Sequence, residues 1–414
     1  MTRTSFVESQ SLMRLPLVRW MVLSRLFGEL FFYSTVLVAF QEERGLTLTQ
    51  MFLMESILSA AFWFFDIPTS MLADRIGHRR MMILGRVIGV AGIVLFAFSH
   101  GFWWFCAAEV LGGLAMACVA GTESTLVYDA LPEENRADRA TEVFSLLGAA
   151  SSAGLFVGLF TGSFLGAVSP SVAVYASIVP MTLSLFAMLR VPDAPRKAAT
   201  AQADTPSSRT MLRLAMRTLW RSPRLSLLSV FRSTAFVLTN AIFWYNQLYF
   251  ASVGIPLVLF GPLMAAVCGL QFLVVVKLAA FQRRLGAGRL LALSCVLPGA
   301  CYVVLAWAGT PVVAVLLVAG VVCFSAWQRP IVETELNNHI ADGSRATTLS
   351  ALALVGAAAA AIANPGVGWV GEHGLTTTGL VLGGVLLALG AVAPFLVRDR
   401  AAVPAAPAAE QVAT

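Results

Sequence analysis

Charge is scarce in this chain. Of its 414 residues only 12% are charged, while 58% are hydrophobic; soluble domains carry about 25% charged residues. That shortage excludes an ordinary soluble domain, and a mean hydropathy of +0.80 places the chain among proteins that cross the bilayer many times. Lysine is nearly missing: Lys197 and Lys277 are the only two. The net charge of +6 is therefore almost all arginine, set in short segments between apolar runs. Membrane topology accounts for it there, so no nucleic-acid partner is expected. Histidine is limited to His78, His100, His339 and His373, and no H-E-x-x-H or G-x-S-x-G pattern occurs, which argues against an enzyme. No G-x-x-x-x-G-K-[ST] loop is present, which excludes ATP as the direct energy source. The six cysteines show no C-x-x-C spacing and read as small apolar residues, not as a zinc site or a disulfide framework. Neither a cofactor nor a metal is expected.

What is abundant is the bilayer-length apolar run. Crossings are expected at about 17–40, 50–71, 81–98, 103–128, 141–165, 171–190, 226–250, 256–280, 287–308, 311–330, 347–370 and 376–397, each near the roughly 20 residues a helix needs to span the hydrocarbon. Arg75, Arg79 and Arg80 (with Arg86 just beyond), then Arg136 and Arg139, then Arg283, Arg284 and Arg289, and finally Arg345 fall in the connections from even to odd crossings. The odd-to-even connections hold one cation, Arg44. This asymmetry puts both termini on the cytoplasmic side of an all-α membrane protein, located in the inner (cytoplasmic) membrane.

Two local patterns recur half a chain apart. Arg139-Ala-Thr141 and Arg345-Ala-Thr347 stand 206 residues apart, and Arg75-Ile-Gly77 and Arg284-Leu-Gly286 stand 209 apart. Both matches lie at equivalent connections, as expected of duplicated six-helix halves. The expected division is a bundle at 1–190, a cytoplasmic linker at 191–224, a second bundle at 225–398 and a disordered tail at 399–414. In the linker, Arg213, Arg217, Arg221 and Arg224 follow helical spacing, as in a basic amphipathic helix on the membrane surface.

The segment Asp66-Ile-Pro-Thr-Ser-Met-Leu-Ala-Asp74-Arg75-Ile-Gly77-His78-Arg79-Arg80 reads as a charged loop marking one membrane face, with Pro68 kinking or ending the second crossing. It resembles the loop G-x-L-A-D-R-x-G-R-R of major facilitator superfamily transporters, with Ser70 in place of the leading glycine. Asp66-x-Pro68-Thr69 and Gly121-Thr-Glu123-Ser-Thr-Leu-Val-Tyr128-Asp129 resemble a bacterial branch of that superfamily. The resemblance implies twelve transmembrane helices in two pseudo-symmetric six-helix bundles. It also implies a gate: Asp74 would face the amino end of the eleventh crossing, and Arg75 would pair with Asp129. The glycine-proline element of drug–proton antiporters is missing from the fifth crossing, whose Gly154, Gly158, Gly162 and Gly166 share one helix face and permit close helix approach.

Charges inside the apolar runs are the remaining signal, because a central charge costs about 2.5–3.5 kcal/mol on insertion scales. Glu29 sits near the middle of the first crossing with Arg25 four residues before it. Either the two neutralise each other or Glu29 exchanges protons or binds a cation. Glu109, Glu123 and Asp66 are further coupling candidates. Arg232 stands where Arg25 falls after the half-chain offset, and with Tyr33, Asn240, Trp244 and Gln271 it is a candidate for the substrate cavity. The expected function is secondary active transport of a small organic molecule by a monomer in the lipid bilayer, with protons or other ions as partners and export as the direction. Import of a small metabolite, or a non-transporting receptor of the same fold, are the alternatives.

Overall fold

Backbone N–H and C=O groups in hydrocarbon must bond to one another, so long apolar runs fold as helices. The computed structural model describes residues 12–131, 136–193, 223–339 and 345–397, and among these every regular element is helical. The amino-terminal half comprises α1 (Pro16–Gly28), α2 (Leu37–Glu43), α3 (Leu48–Ile76), α4 (His78–Phe98), α5 (Phe102–Val119), α6 (Thr122–Ala130), α7 (Arg136–Val168) and α8 (Pro170–Leu189). The carboxy-terminal half comprises α9 (Pro223–Asn240), α10 (Ile242–Ser252), α11 (Phe260–Val276), α12 (Leu278–Leu285), α13 (Ala287–Leu305), α14 (Pro311–Ser325), α15 (Gln328–His339), α16 (Arg345–Glu372) and α17 (Leu375–Leu396). Among the described residues eleven spans are long and apolar enough to cross a bilayer, and α1 with α2 makes a twelfth if the bent pair is one span.

Packing repeats between the halves. α1 lies on α7 as α9 lies on α16; α3 pairs with α5 as α11 pairs with α14; α4 packs on α8 as α13 packs on α17. Across the halves, α3 meets α16 and α7 meets α11. The paired turns repeat in backbone detail too. Gly77 has φ 99° and ψ 143°, and Gly286 has φ 81° and ψ 159°, a region that an L side chain rarely enters. These two glycines let α3 and α12 reverse into the next helix at the end carrying Arg75, Arg79, Arg80, Arg283, Arg284 and Arg289, here called the basic end.

The halves are tied together toward the opposite, far end. Gln247 accepts from the Val38 amide and donates to the Ser34 carbonyl, at 3.1 and 3.2 Å. Glu372 accepts from the Thr49 amide at 3.0 Å, and the Ser56 hydroxyl donates to the Ala361 carbonyl at 3.2 Å. Phe52 stacks on Tyr245 with ring centroids 5.6 Å apart. Glycines bring the backbones close there: Gly368 lies against Leu48 and Thr49, and Gly261 against Leu159 and Ser163.

Several expected boundaries change. The first crossing is not one helix: α1 stops at Gly28, and the part ending at Thr35 meets α2 at 58°. The segment from Asp66 to Ile76 is not a loop but the last turns of α3, and Pro68 lies inside that helix. The hydroxyls of Thr69 and Ser70 donate to the carbonyls of Phe65 and Asp66, both at 2.8 Å, supplying donors in the turn that the proline disturbs. The fourth crossing breaks at Gly121, and the tenth continues past 330 to His339. Residues 194–222, and so most of the basic linker, lie outside the described residues, as does the tail from 398. Arg224 is described, and it is not a linker residue: it stands in the first turn of α9, where it pairs with Glu335 at 3.5 Å.

Candidate substrate cavity and charge network

The break after Gly28 sets up the site. Non-helical backbone at membrane depth is tolerated where it lines a cavity, and Glu29, Phe31, Tyr33 and Ser34 all line one of about 810 Å³. The break leans on the glycine face of α7. A Cβ on Gly154 would lie 2.5 Å from the Leu26 carbonyl oxygen, and one on Gly158 would lie 3.0 Å from the Phe31 nitrogen. One on Gly162 would overlap the Phe32 carbonyl oxygen. The four-residue glycine spacing read in the sequence is thus the socket for the irregular stretch of the first crossing.

Into this cavity the sequence places both charge signs. Arg25 lies 3.5 Å from Glu29 and 3.3 Å from Glu123, and its Nε donates to the Ser151 hydroxyl at 2.6 Å. Glu123 reaches Arg25 because the chain breaks at Gly121, with φ 71°, and restarts as α6. Glu109 on α5 lines the same cavity, together with Tyr33 and Trp244. Two further residues complete it, Glu55 on α3 and Arg86 on α4. Sequence reasoning passed over Glu55, although an acid inside an apolar run is itself a signal, and it counted Arg86 among the topology-setting cations. Gly28 makes room for Arg86: a Cβ there would lie 2.7 Å from Nη1. Asp66 is not part of this cavity; it is partly buried on α3, and its backbone carbonyl accepts from Thr69 and Ser70.

A second cavity of about 730 Å³ lies against the carboxy-terminal half. Arg232, Asn240, Gln271, Gln328 and Arg329 line it, with Phe62 and Trp63 of α3 on the other side. Arg232 lies 3.7 Å from Glu333, and Glu333 is also held by Arg329 at 2.8 Å. Gln271 donates to the Val322 carbonyl at 3.2 Å. The residues chosen for a substrate cavity therefore divide: Tyr33 and Trp244 face the first cavity, and Arg232, Asn240 and Gln271 the second.

The motif residues lie at the basic end. Asp74 and Arg75 are exposed in the last turn of α3, Gly77 makes the turn, and Arg80 is exposed on α4. Arg79 donates to the carbonyls of Val191 and Leu189 and pairs with Asp193 at 3.3 Å, closing off the carbonyl end of α8. Asp129 is partly buried in α6.

A sequence model described as the Major Facilitator Superfamily matches residues 21–363. Among solved structures, a mutant of the nucleoside transporter NupG superposes with a TM-score of 0.79 at 16% identity, covering 92% of this chain and 100% of that one. The nucleoside transporter NupG itself gives 0.76 at 16% identity, covering 93% and 100%. The POT family transporter PepTSo gives 0.67 at 14% identity, covering 92% and 97%. At these identities the likeness is one of fold.

Proposed function

Because this chain belongs to the Major Facilitator Superfamily, we propose that it is a secondary active transporter that exports a small organic molecule by alternating access, with proton coupling through the cavity carboxylates. Its relatives in fold are membrane transporters, not enzymes, and transport is the activity this architecture serves. The observation that carries the finer reading is the acid-bearing cavity at the break of the first crossing. Four carboxylates, Glu29, Glu55, Glu109 and Glu123, line it against two guanidiniums, Arg25 and Arg86. Carboxylates in such a space change charge with solvent access, and access is what alternates in this mechanism.

The basic end is assigned to the cytoplasm, with both termini there, because its connections hold the arginines. The interhalf bonds of Gln247, Glu372 and Ser56 toward the far end support an inward-facing conformation. In the opposite conformation Asp74, Arg75 and Asp129 serve as the latch at the basic end, Asp74 facing the positive end of α16. Gly77, Arg79 and Arg80 hold the turn that presents it. The two halves, 1–190 and 225–398, rock as units about the cavities.

The test is solute movement in liposomes holding the purified protein under an imposed pH gradient. Glu29→Gln abolishes gradient-driven transport and leaves counterflow of solute intact. If both persist unchanged, Glu29 is not the coupling group. If the wild-type protein moves no solute down any imposed gradient, the receptor reading replaces transport. Opposite orientations of the gradient read the direction.

A further inference from the structure

Three charged side chains in the first cavity are left over when the ion pairs have been assigned. Arg25 is taken by Glu29 and Glu123. Arg86 has no hydrogen-bond or ion-pair partner among the described residues, and its Nε is buried. Glu55 and Glu109 likewise have none, and both face the cavity. A guanidinium with a buried, unused Nε donor is costly, and Arg86 lies half-buried in a cleared space against Gly28.

The unpaired charges are sorted along the cavity. Glu109 sits level with Gly92 of α4, since a Cβ on Gly92 would lie 3.7 Å from the Ala108 carbonyl and 3.6 Å from the Gly112 nitrogen. Arg86 precedes Gly92 by six residues, about 9 Å along the helix axis at 1.5 Å per residue. Glu55 belongs with Glu109: α3 and α5 run side by side, and Gly113, one turn after Glu109, packs on the Leu58 carbonyl, one turn after Glu55. Unpaired positive charge therefore lies toward the basic end and unpaired negative charge toward the far end. Tyr33, Phe96 and Trp244 line the same space, and Tyr33 and Phe96 have ring centroids 5.8 Å apart. Aromatic faces of this kind suit an ammonium group.

We propose that the cavity binds a zwitterionic organic solute, its anionic group on Arg86 and its ammonium group between Glu55 and Glu109 beside Tyr33 and Phe96. A bidentate carboxylate or phosphate would use the free guanidinium donors. One ligand would then contact three charged groups that make no ion pair of their own, which neither a cation nor an anion alone can do. This inference rests on the cavity being the transported solute's site, as proposed above.

The experiment measures thermal unfolding of the full-length purified protein with three probe sets: straight-chain ω-amino acids of increasing length, the matching alkylamines and the matching fatty acids. The expected result is a rise in the unfolding midpoint with the ω-amino acids that peaks at one chain length and exceeds both single-charge sets. Arg86→Gln abolishes the advantage over the amines, Glu109→Gln the advantage over the acids, and Arg86→Lys restores part of the first. The ligand-free midpoint of each variant reports its folding, and Glu55→Gln supplies a second acid variant should Glu109→Gln fail to fold. Protection by amines equal to that by ω-amino acids, unchanged in Arg86→Gln, would overturn the proposal in favour of a cation site. So would protection by none of the three sets. An uncharged solute that protects and is moved in liposomes would sink the zwitterion and leave transport standing, whereas movement of no solute at all would sink transport itself.

Discussion

In the amino-terminal half Arg25, on the first helix, reaches Glu123 at 3.3 Å on the broken end of the fourth crossing; in the carboxy-terminal half Arg232 reaches Glu333 at 3.7 Å from the equivalent places. The scaffold thus repeats, down to an arginine on α1 or α9 answering a glutamate on α6 or α15. The cavities built around the two pairs differ. The first adds Glu29, Glu55, Glu109 and Arg86; the second adds Asn240, Gln271, Gln328 and Arg329, with no carboxylate in its lining. Duplication supplied the frame, and divergence placed the titratable acids on one side. The proposed proton coupling and recognition of a solute ammonium would then fall to the first cavity, while the second offers amides and the arginines Arg232 and Arg329.

The sharpest contrast lies in the helices behind each cavity. Gly162→Leu is expected to prevent accumulation of folded protein, because its side chain meets the Phe32 backbone. At Gly356 the atoms nearest to an added Cβ belong to the side chains of Ser229 and Ser233, so Gly356→Leu should fold, losing about 1–3 kcal/mol, as overpacking does. Size-exclusion profiles and unfolding midpoints of the two variants would compare them, and equal behaviour would erase the distinction. Next comes the duplicated pair. Arg25→Ala strands two acids and should cost about 1–3 kcal/mol, less than a fully buried pair because Arg25 keeps part of its surface exposed. Arg232→Ala leaves Glu333 with Arg329 and should cost under about 1 kcal/mol, read by the same midpoints.

A third comparison concerns function. Glu29→Gln should reduce accumulation driven by a pH gradient while counterflow at equal pH continues, and Gln271→Ala should lower both together. A pH response lost in Gln271→Ala and kept in Glu29→Gln would reverse the assignment of the two cavities. The smallest effect is expected at the far end. Glu372→Gln weakens a charge-assisted bond to the Thr49 amide by about 1 kcal/mol or less. It should raise labelling of a cysteine placed at Thr47 from the far side, and unchanged labelling would separate this bond from closure.

Much of the arrangement around Arg25 was readable from spacing. Four residues separate Arg25 from Glu29, so one helical turn brings them together, and the glycine series at 154, 158, 162 and 166 announces a face that accepts another backbone. Arg232 was reachable through the half-chain offset. Glu123 as the partner of Arg25 was not, because the contact depends on the break at Gly121 and on how the restarted helix α6 is set beside α1. Arg86 looked like one more topology-setting arginine beside Arg79 and Arg80, although the structure turns it inward against Gly28.

By itself the sequence determined that this chain is helical and crosses the membrane many times, that one end is basic, and that its halves are related. Those properties follow from hydropathy, charge placement and local periodicity, all carried by neighbouring residues. Only the tertiary structure decided where the first crossing breaks, which acids share Arg25 and which charges are left unpaired. These depend on side chains from α1, α3, α4, α5 and α6 converging on one space, and distances between helices are set by packing rather than by position along the chain.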